Sequence, residues 1–120
     1  MRYMPHDKRQ LANDVKRFVD KERNYRNPYL TMSMVADALG IARSSLIKVM
    51  SEEIGMPFAH YINKVRIHHA RHFVVMNKGR NTMEHIALLC GYATLATFNR
   101  KYKQEYGELP SDTERRIMGM

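Results

Sequence analysis

The octapeptides VADALGIA at residues 35–42 and IALLCGYA at residues 86–93 repeat one pattern. In each, an apolar residue and an alanine precede three further residues, a glycine and a short turn, and the two glycines lie 51 residues apart. Beyond the turn the match continues at an offset of 52, with Gly55 opposite Gly107. Repetition at a fixed spacing indicates a duplicated structural unit. The added residue predicts that the second turn is one residue longer than the first.

Each copy has the physical outline of a helix-turn-helix. The small alanine lets two helices approach closely, and the glycine permits a sharp turn because it readily adopts the left-handed backbone conformation. Apolar residues of the following helix, such as Leu46 and Phe98, would hold that helix across the first and leave its outer face free. A generic repeat of helical hairpins is the alternative that this pattern alone leaves open.

The flanking sequence is helical throughout, and no run alternates apolar and polar residues as a half-buried strand does. Apolar spacing, glycine stops and capping residues predict helices near residues 7–23, 31–39, 43–54, 57–77, 82–90 and 94–106, and a frayed last helix near Pro110 with the capping-box pattern Ser111-x-x-Glu114. The expected fold is therefore all-α, with about seven helices in two helix-turn-helix subdomains joined by a long central helix, a homeodomain-like tandem. The expected division is 1–56 for the first subdomain, 57–78 for the connecting helix and 79–120 for the second subdomain and tail.

The length of the connecting helix has a functional implication. A helix of about 20 residues spans roughly 30 Å, and successive major grooves on one face of DNA lie about 34 Å apart. We therefore expect the connecting helix to hold the two units in neighbouring grooves of one duplex.

Composition favours a polyanionic partner. The 120 residues carry a formal net charge of +8, which points to nucleic acid first and to an anionic membrane surface second. No apolar run approaches the roughly 18 residues of a spanning helix, and the first residues, MRYMPHD, lack the apolar centre of a secretory signal. The single cysteine, Cys90, excludes an internal disulfide and suits a reducing compartment. These features predict a cytoplasmic location without membrane contact by this segment.

The stretch IAxxxGYxTxxxFxRxYKxxYGxxP at residues 86–110 resembles the second helix-turn-helix signature of the AraC/XylS family of bacterial transcription regulators. Residues 30–58 and the connecting stretch YINxxRxxxA at residues 61–70 also resemble that family. The resemblance implies a seven-helix DNA-binding domain. It also implies that the helices near residues 43–54 and 95–106 face the major groove; we refer to these as the reading helices.

The amphipathic pattern turns Leu46, Val49 and Met50 of the first reading helix inward, and Phe98, Tyr102 and Tyr106 of the second. The candidates for base contacts are Ser44, Ser45, Ile47, Lys48, Leu95, Ala96, Asn99 and Arg100. Lysine and arginine can donate to guanine, asparagine can pair with adenine, and apolar side chains can contact thymine methyl groups. The candidates for phosphate contacts are Arg43, Thr82, Thr94 and Lys103. For each candidate the alternative is a solvated surface side chain.

Other chemistry finds little support. His68 and His72 have the spacing of two metal ligands on a helix, but no third ligand is evident, so we expect no metal site. The sequence contains no phosphate-binding glycine loop and no convincing catalytic set, so we expect neither a cofactor nor enzymatic activity. The expected partners are double-stranded DNA and either RNA polymerase or a fused or separate sensor domain. A DNA-binding output domain of a larger regulator, a stand-alone small regulator, and a helical protein-interaction module without DNA binding all remain open, the first being favoured.

Overall fold

The computed structural model describes residues 7–119, and those residues form seven α-helices and no strand, which confirms the all-helical fold class. The helices are α1 (Lys8–Lys16), α2 (Met32–Leu39), α3 (Arg43–Val49), α4 (Phe58–Asn77), α5 (Met83–Leu89), α6 (Leu95–Tyr106) and α7 (Pro110–Ile117). The expected division of the chain also includes residues 1–6 and 120, which lie outside the described residues. No helix within residues 7–119 combines the length and the apolar character that crossing a membrane requires.

The described chain divides into two compact units. Unit 1 contains residues 7–25 and 29–63, and unit 2 contains residues 26–28 and 64–119. Helix α4 is continuous across this division, so its first residues belong to unit 1 and the others to unit 2. The boundary thus falls within the connecting helix, which the sequence-based division treated as a separate part.

The core of unit 1 is built from the apolar stripes of its helices. Its buried side chains include Leu11, Val15, Val19, Val35, Ala36, Leu46, Val49, Met50, Phe58 and Ile62. Both α1 and α3 pass into a π-helical turn, at Arg17–Lys21 and Met50–Ile54 respectively. Apolar spacing does not distinguish such a wider turn from regular α-helix, and the sequence accordingly predicted uninterrupted helices there. Gly55 ends the second π-helical turn with φ +83°, and its N–H donates to the Met50 carbonyl at 2.7 Å.

The core of unit 2 joins α4, α5 and α6. Its buried side chains are Ile67, Ala70, Val74, Ile86, Ala87, Cys90, Tyr92, Phe98 and Tyr102. Two arginines attach the short 26–28 segment to this unit. Arg66 donates to the Asn27 carbonyl at 2.8 Å, and the Arg26 guanidinium lies 5.6 Å from the centre of the Phe73 ring.

The start of α7 differs from the expectation. The capping box predicted at Ser111 and Glu114 is not formed; α7 starts earlier, with Leu109 as N-cap and Pro110 in the first turn. The Asp112 carboxylate accepts from the Leu109 N–H at 3.2 Å. Glu114 instead accepts hydrogen bonds from the Asn77 amide and, at 3.2 Å, from the Gly79 N–H. Asp112 lies three residues after Leu109, and Glu114 lies three residues after Ser111, so either carboxylate could have completed a cap. The contact of Glu114 with the end of α4 favours the cap at Leu109.

Candidate nucleic-acid interface

The two turns share a backbone geometry that the repeat predicted. After α2, Gly40 has φ +69° and the Ile41 N–H donates to the Ala36 carbonyl at 3.0 Å. After α5, Gly91 has φ +89° and the Tyr92 N–H donates to the Ala87 carbonyl at 2.9 Å. A residue at positive φ, followed by an N–H that bonds five residues back, closes each helix in a Schellman-type turn. The duplication therefore extends from residue types to hydrogen bonds.

The helices that precede the two turns begin in the same way. Thr31 caps α2 and Thr82 caps α5, each accepting a backbone N–H three residues on, at 3.1 Å. The reading helices differ, because α6 is capped by the Thr94 side chain whereas α3 starts at Ala42 with no side-chain cap. The N-cap follows its glycine by two residues in the first copy and by three in the second. This confirms that the second turn is one residue longer.

Helix α3 presents the expected faces. Its inward residues Leu46 and Val49 are buried, as is Met50, the first residue of the π-helical turn that follows. All of its candidate DNA-contacting residues are exposed: Arg43, Ser44, Ser45, Ile47 and Lys48. Ile47 is half exposed, at 50%, although it is a large apolar side chain. An exposed isoleucine beside a cation and two hydroxyls is a surface able to contact a thymine methyl group while its neighbours form hydrogen bonds.

Helix α6 presents fewer exposed candidates than α3 does. Ala96, Arg100 and Lys103 are exposed, whereas Leu95 and Asn99 are partly buried. Leu95 packs against the core of unit 2, so only part of this side chain is available to a ligand. Phe98 and Tyr102 are fully buried and Tyr106 is partly buried, as the inward positions predict.

The two threonine candidates for phosphate contact serve as helix caps. The Thr82 hydroxyl accepts from the His85 N–H, and the Thr94 hydroxyl accepts from the Thr97 N–H at 3.2 Å. The Thr94 hydroxyl also donates to the Thr97 hydroxyl at 3.1 Å. Both threonines are exposed. A contact between either residue and phosphate remains a prediction.

The surroundings of Lys48 contain a pair of charges that sequence reasoning missed. Lys8 on α1 donates to the Glu52 carboxylate at 2.6 Å. This hydrogen bond is the main cause that lowers the pKa of Glu52, and the positive charges of Lys8 and Lys48 lower it further. Lys48 and Glu52 lie four residues apart, a spacing that brings side chains together on a helix and could have indicated their proximity. Lys8 is 44 residues from Glu52, and no local pattern links those two.

The outer faces of α3 and α6 thus carry cations, hydroxyls, an amide and small apolar groups, the side-chain types that contact phosphates and base edges in duplex DNA. Within residues 7–119, no group of three or more histidine, cysteine, aspartate or glutamate side chains could hold a metal ion. Cys90 is fully buried, and burial raises the pKa of its thiol to about 12. These surroundings suit a core side chain better than a nucleophile.

Comparison with known proteins supports the same interpretation. A family model described as a helix-turn-helix domain matches residues 35–116. An uncharacterized HTH-type transcriptional regulator of Staphylococcus aureus is 29% identical over 125 aligned positions, covering 93% of this chain and 16% of that protein. The xylose operon regulatory protein of Escherichia coli is 29% identical over 90 positions, covering 75% of this chain and 22% of that protein. The chain therefore spans less than a quarter of the length of these two curated relatives.

Solved structures share the fold. The C-terminal domain of a response regulator from Geobacillus stearothermophilus superposes with a TM-score of 0.78 at 22% identity, covering 88% of this chain and 84% of that one. A probable AraC family transcriptional regulator from Rhodopseudomonas palustris superposes with a TM-score of 0.68 at 27% identity, covering 91% of this chain and 94% of that one.

Proposed function

This chain belongs to the AraC/XylS-type helix-turn-helix family of DNA-binding transcription regulators, and we propose that it reads a specific duplex sequence through the outer faces of α3 and α6. The observation that carries the proposal is the duplicated turn. The same glycine conformation and the same backbone hydrogen bond precede both reading helices, and each helix leaves cationic side chains exposed. This family is not an enzyme class, and we propose no catalytic activity for the chain.

In unit 1 we assign base recognition to α3. Lys48 donates to guanine, Ser44 and Ser45 form the adaptable hydrogen bonds of hydroxyl groups, and Ile47 contacts a thymine methyl group. Arg43, in the first turn of α3, binds phosphate and sets the orientation of the helix on the duplex. The exposure of all five side chains supports this assignment.

In unit 2 we assign base recognition to α6, with a larger apolar share. Arg100 donates to guanine or phosphate, the partly buried Asn99 pairs with adenine, and Ala96 lies against a thymine methyl group. Leu95 contributes through the part of its side chain that the core leaves accessible. Lys103 binds phosphate, and the capped starts of α5 and α6 at Thr82 and Thr94 approach the backbone of the duplex.

We further propose that the chain is the output domain of a larger regulator. The relatives in Staphylococcus aureus and Escherichia coli are several times longer than the region that they share with it. A fused or separate sensor domain, and RNA polymerase, are then its protein partners. Immunoblotting of the native protein tests this proposal, because a product near 14.1 kDa would instead identify a stand-alone regulator.

Selection of bound duplexes from a random DNA pool tests the function directly. We expect enrichment of one extended motif with two conserved segments, one for each reading helix. A Lys48→Ala variant should relax preference within one segment, and an Arg100→Ala variant within the other. Retention of DNA without enrichment of any sequence would leave only non-specific electrostatic binding, and no retention at all would favour the alternative of a helical protein-interaction module.

A further inference from the structure

The inner side of reading helix α6 carries a group of hydrogen-bonded polar side chains. Tyr102 and Thr113 are fully buried, and the Tyr102 hydroxyl donates to the Thr113 hydroxyl at 2.9 Å. Arg71 on α4 donates from one terminal nitrogen to the Tyr102 hydroxyl at 3.0 Å and to the Thr113 hydroxyl at 3.4 Å. One guanidinium thereby connects α4, α6 and α7 within unit 2. We call these three residues the Arg71 group.

A second set of contacts lies one turn further along α6. The guanidinium of Arg71 stacks over the Tyr106 ring, with its central carbon 4.7 Å from the ring centre. The Tyr106 hydroxyl donates to the Ile67 carbonyl of α4 at 3.2 Å. Two successive turns of α6 are therefore attached to α4 by directional contacts, in addition to the apolar contacts of Phe98 with the core.

Directional contacts limit how a helix can rotate or slide. Apolar packing has no preferred angle, whereas a hydrogen bond prefers an angle above about 150° and weakens steeply below about 120°. Arginine suits this role because its planar guanidinium can donate several hydrogen bonds and stack on an aromatic ring at the same time. A rotation of α6 about its axis would displace Arg100 and Lys103, the exposed side chains on its other side.

The first unit lacks this chemistry at the matching positions. At the offset of 52 residues, Tyr102 corresponds to Met50 and Tyr106 corresponds to Ile54. Met50 is buried and Ile54 is partly buried, and neither side chain can donate a hydrogen bond. The two reading helices are thus held differently: the π-helical turn that continues α3 has apolar side chains at these positions, whereas α6 is held by the Arg71 group.

We propose that Arg71 is a positioning residue for base recognition by α6, acting through Tyr102, Tyr106 and Thr113. The orientation of Asn99 and Arg100 against base edges then depends on a side chain that does not itself contact DNA. The inference rests on the proposed function and adds that the specificity of unit 2 is set from α4.

The test compares base preference, not affinity alone, in Arg71→Met, Arg71→Lys and Tyr102→Phe variants of the full chain. Positions of the selected motif are first assigned to α3 or α6 with Lys48→Ala and Arg100→Ala. We expect Arg71→Met to reduce base preference at the α6 positions by about tenfold, the order of one mismatched base pair, and to leave the α3 positions unchanged. Arg71→Lys retains the charge but not the planar fork, so its base preference should also fall while its salt dependence stays that of the wild type.

Tyr102→Phe keeps the ring and removes only the hydroxyl, so it tests the hydrogen bonds even if Arg71→Met fails to fold. Arg115→Met, an exposed position on α7, controls for the loss of one positive charge, and circular dichroism verifies the fold of each variant. Wild-type base preference at every position in Tyr102→Phe, or an equal loss at the α3 and α6 positions, would overturn the inference. If the wild type enriches no sequence, the proposed function fails first and this inference fails with it.

Discussion

The salt dependence of DNA binding can be calculated from the exposed cations of the two reading helices. Helix α3 exposes Arg43 and Lys48, and α6 exposes Arg100 and Lys103. Each phosphate that a cation neutralises contributes about 0.9 to the slope of log affinity against log salt concentration. Arg43 and Lys103, the two assigned to phosphate, together give a slope of about −1.8. If Lys48 and Arg100 also met phosphate, the upper limit for these helices would be about −3.6, a loss of about 150-fold between 50 and 200 mM salt. Six to ten phosphate contacts in total, including cations outside these helices, would give a loss of about 10³–10⁵.

The perturbation that tests this calculation removes the two cations assigned to phosphate, one from each unit. Arg43→Gln with Lys103→Gln should make the slope shallower by about 1.8, since each substitution removes one contact. Over the same fourfold change in salt, each substitution reduces the loss of affinity by about 3.5-fold. Fluorescence anisotropy of a labelled duplex, titrated at several salt concentrations, measures the slope.

The matched control is Lys16→Gln, because Lys16 is an exposed lysine on α1, outside both reading helices. This variant should retain the slope of the wild type. A change in the slope of Lys16→Gln that is half that of the double variant, and so equal for each charge removed, would refute the reasoning, because net charge, not the placement of cations on α3 and α6, would then govern binding. A shallow slope for the wild type would contradict the assignment of both helices.

Four further outcomes are expected. Lys48→Ala should weaken specific binding by about 1–3 kcal/mol and relax preference at one base, whereas a uniform loss in competition titrations with all base variants would identify a phosphate contact. Glu52→Gln removes the carboxylate beside Lys8 and Lys48, so non-specific duplex should bind about twofold to fivefold more tightly in filter binding, the size of one exposed charge interaction. The affinity of Glu22→Gln for the same duplex should equal that of the wild type. Burial raises the pKa of the Cys90 thiol from 9.0 to about 12, so the thiolate fraction at pH 8 falls by about a thousandfold. A thiol reagent should therefore label Cys90 only after denaturant has unfolded the chain, and rapid labelling without denaturant would contradict the burial. Five base pairs inserted between the two segments of the selected motif rotate one segment by about half a turn, and an unchanged affinity in the anisotropy titration would show that the units do not bind both segments together.

Several features of the fold were predictable because their signals are local. A threonine before an apolar stripe and a glycine after it act on the backbone of that one helix, as Thr94 and Gly107 do at the two ends of α6. The inward faces of α3 and α6 also followed from helical spacing alone, since each buried residue recurs at intervals of three or four. The predicted capping box of α7 was wrong because two overlapping patterns compete there, one at Leu109 with Asp112 and one at Ser111 with Glu114. A distant contact, from Asn77 to Glu114, favours one of them.

For the candidate site, the sequence predicted which positions of each reading helix face outward. Helical periodicity separates the outer from the inner positions of α6, but it does not tell how far the core extends around the helix. Leu95 lies between the two faces, and packing against the core of unit 2 covers part of it. The candidate residues are therefore set by spacing, while the accessible area of each depends on its neighbours in space.

Interactions between residues close in sequence determined the helices, their ends, the duplicated turn and the side of each reading helix that faces outward. Interactions between distant residues required the folded chain: Arg71 reaches Tyr102 and Thr113 across 31 and 42 residues, and Lys8 reaches Glu52 across 44. The physical reason is that caps and side-chain spacing act on the backbone and neighbours within about one turn of the same helix. A contact between two helices depends instead on how each is oriented by all of its other contacts, and this information is distributed over the whole core.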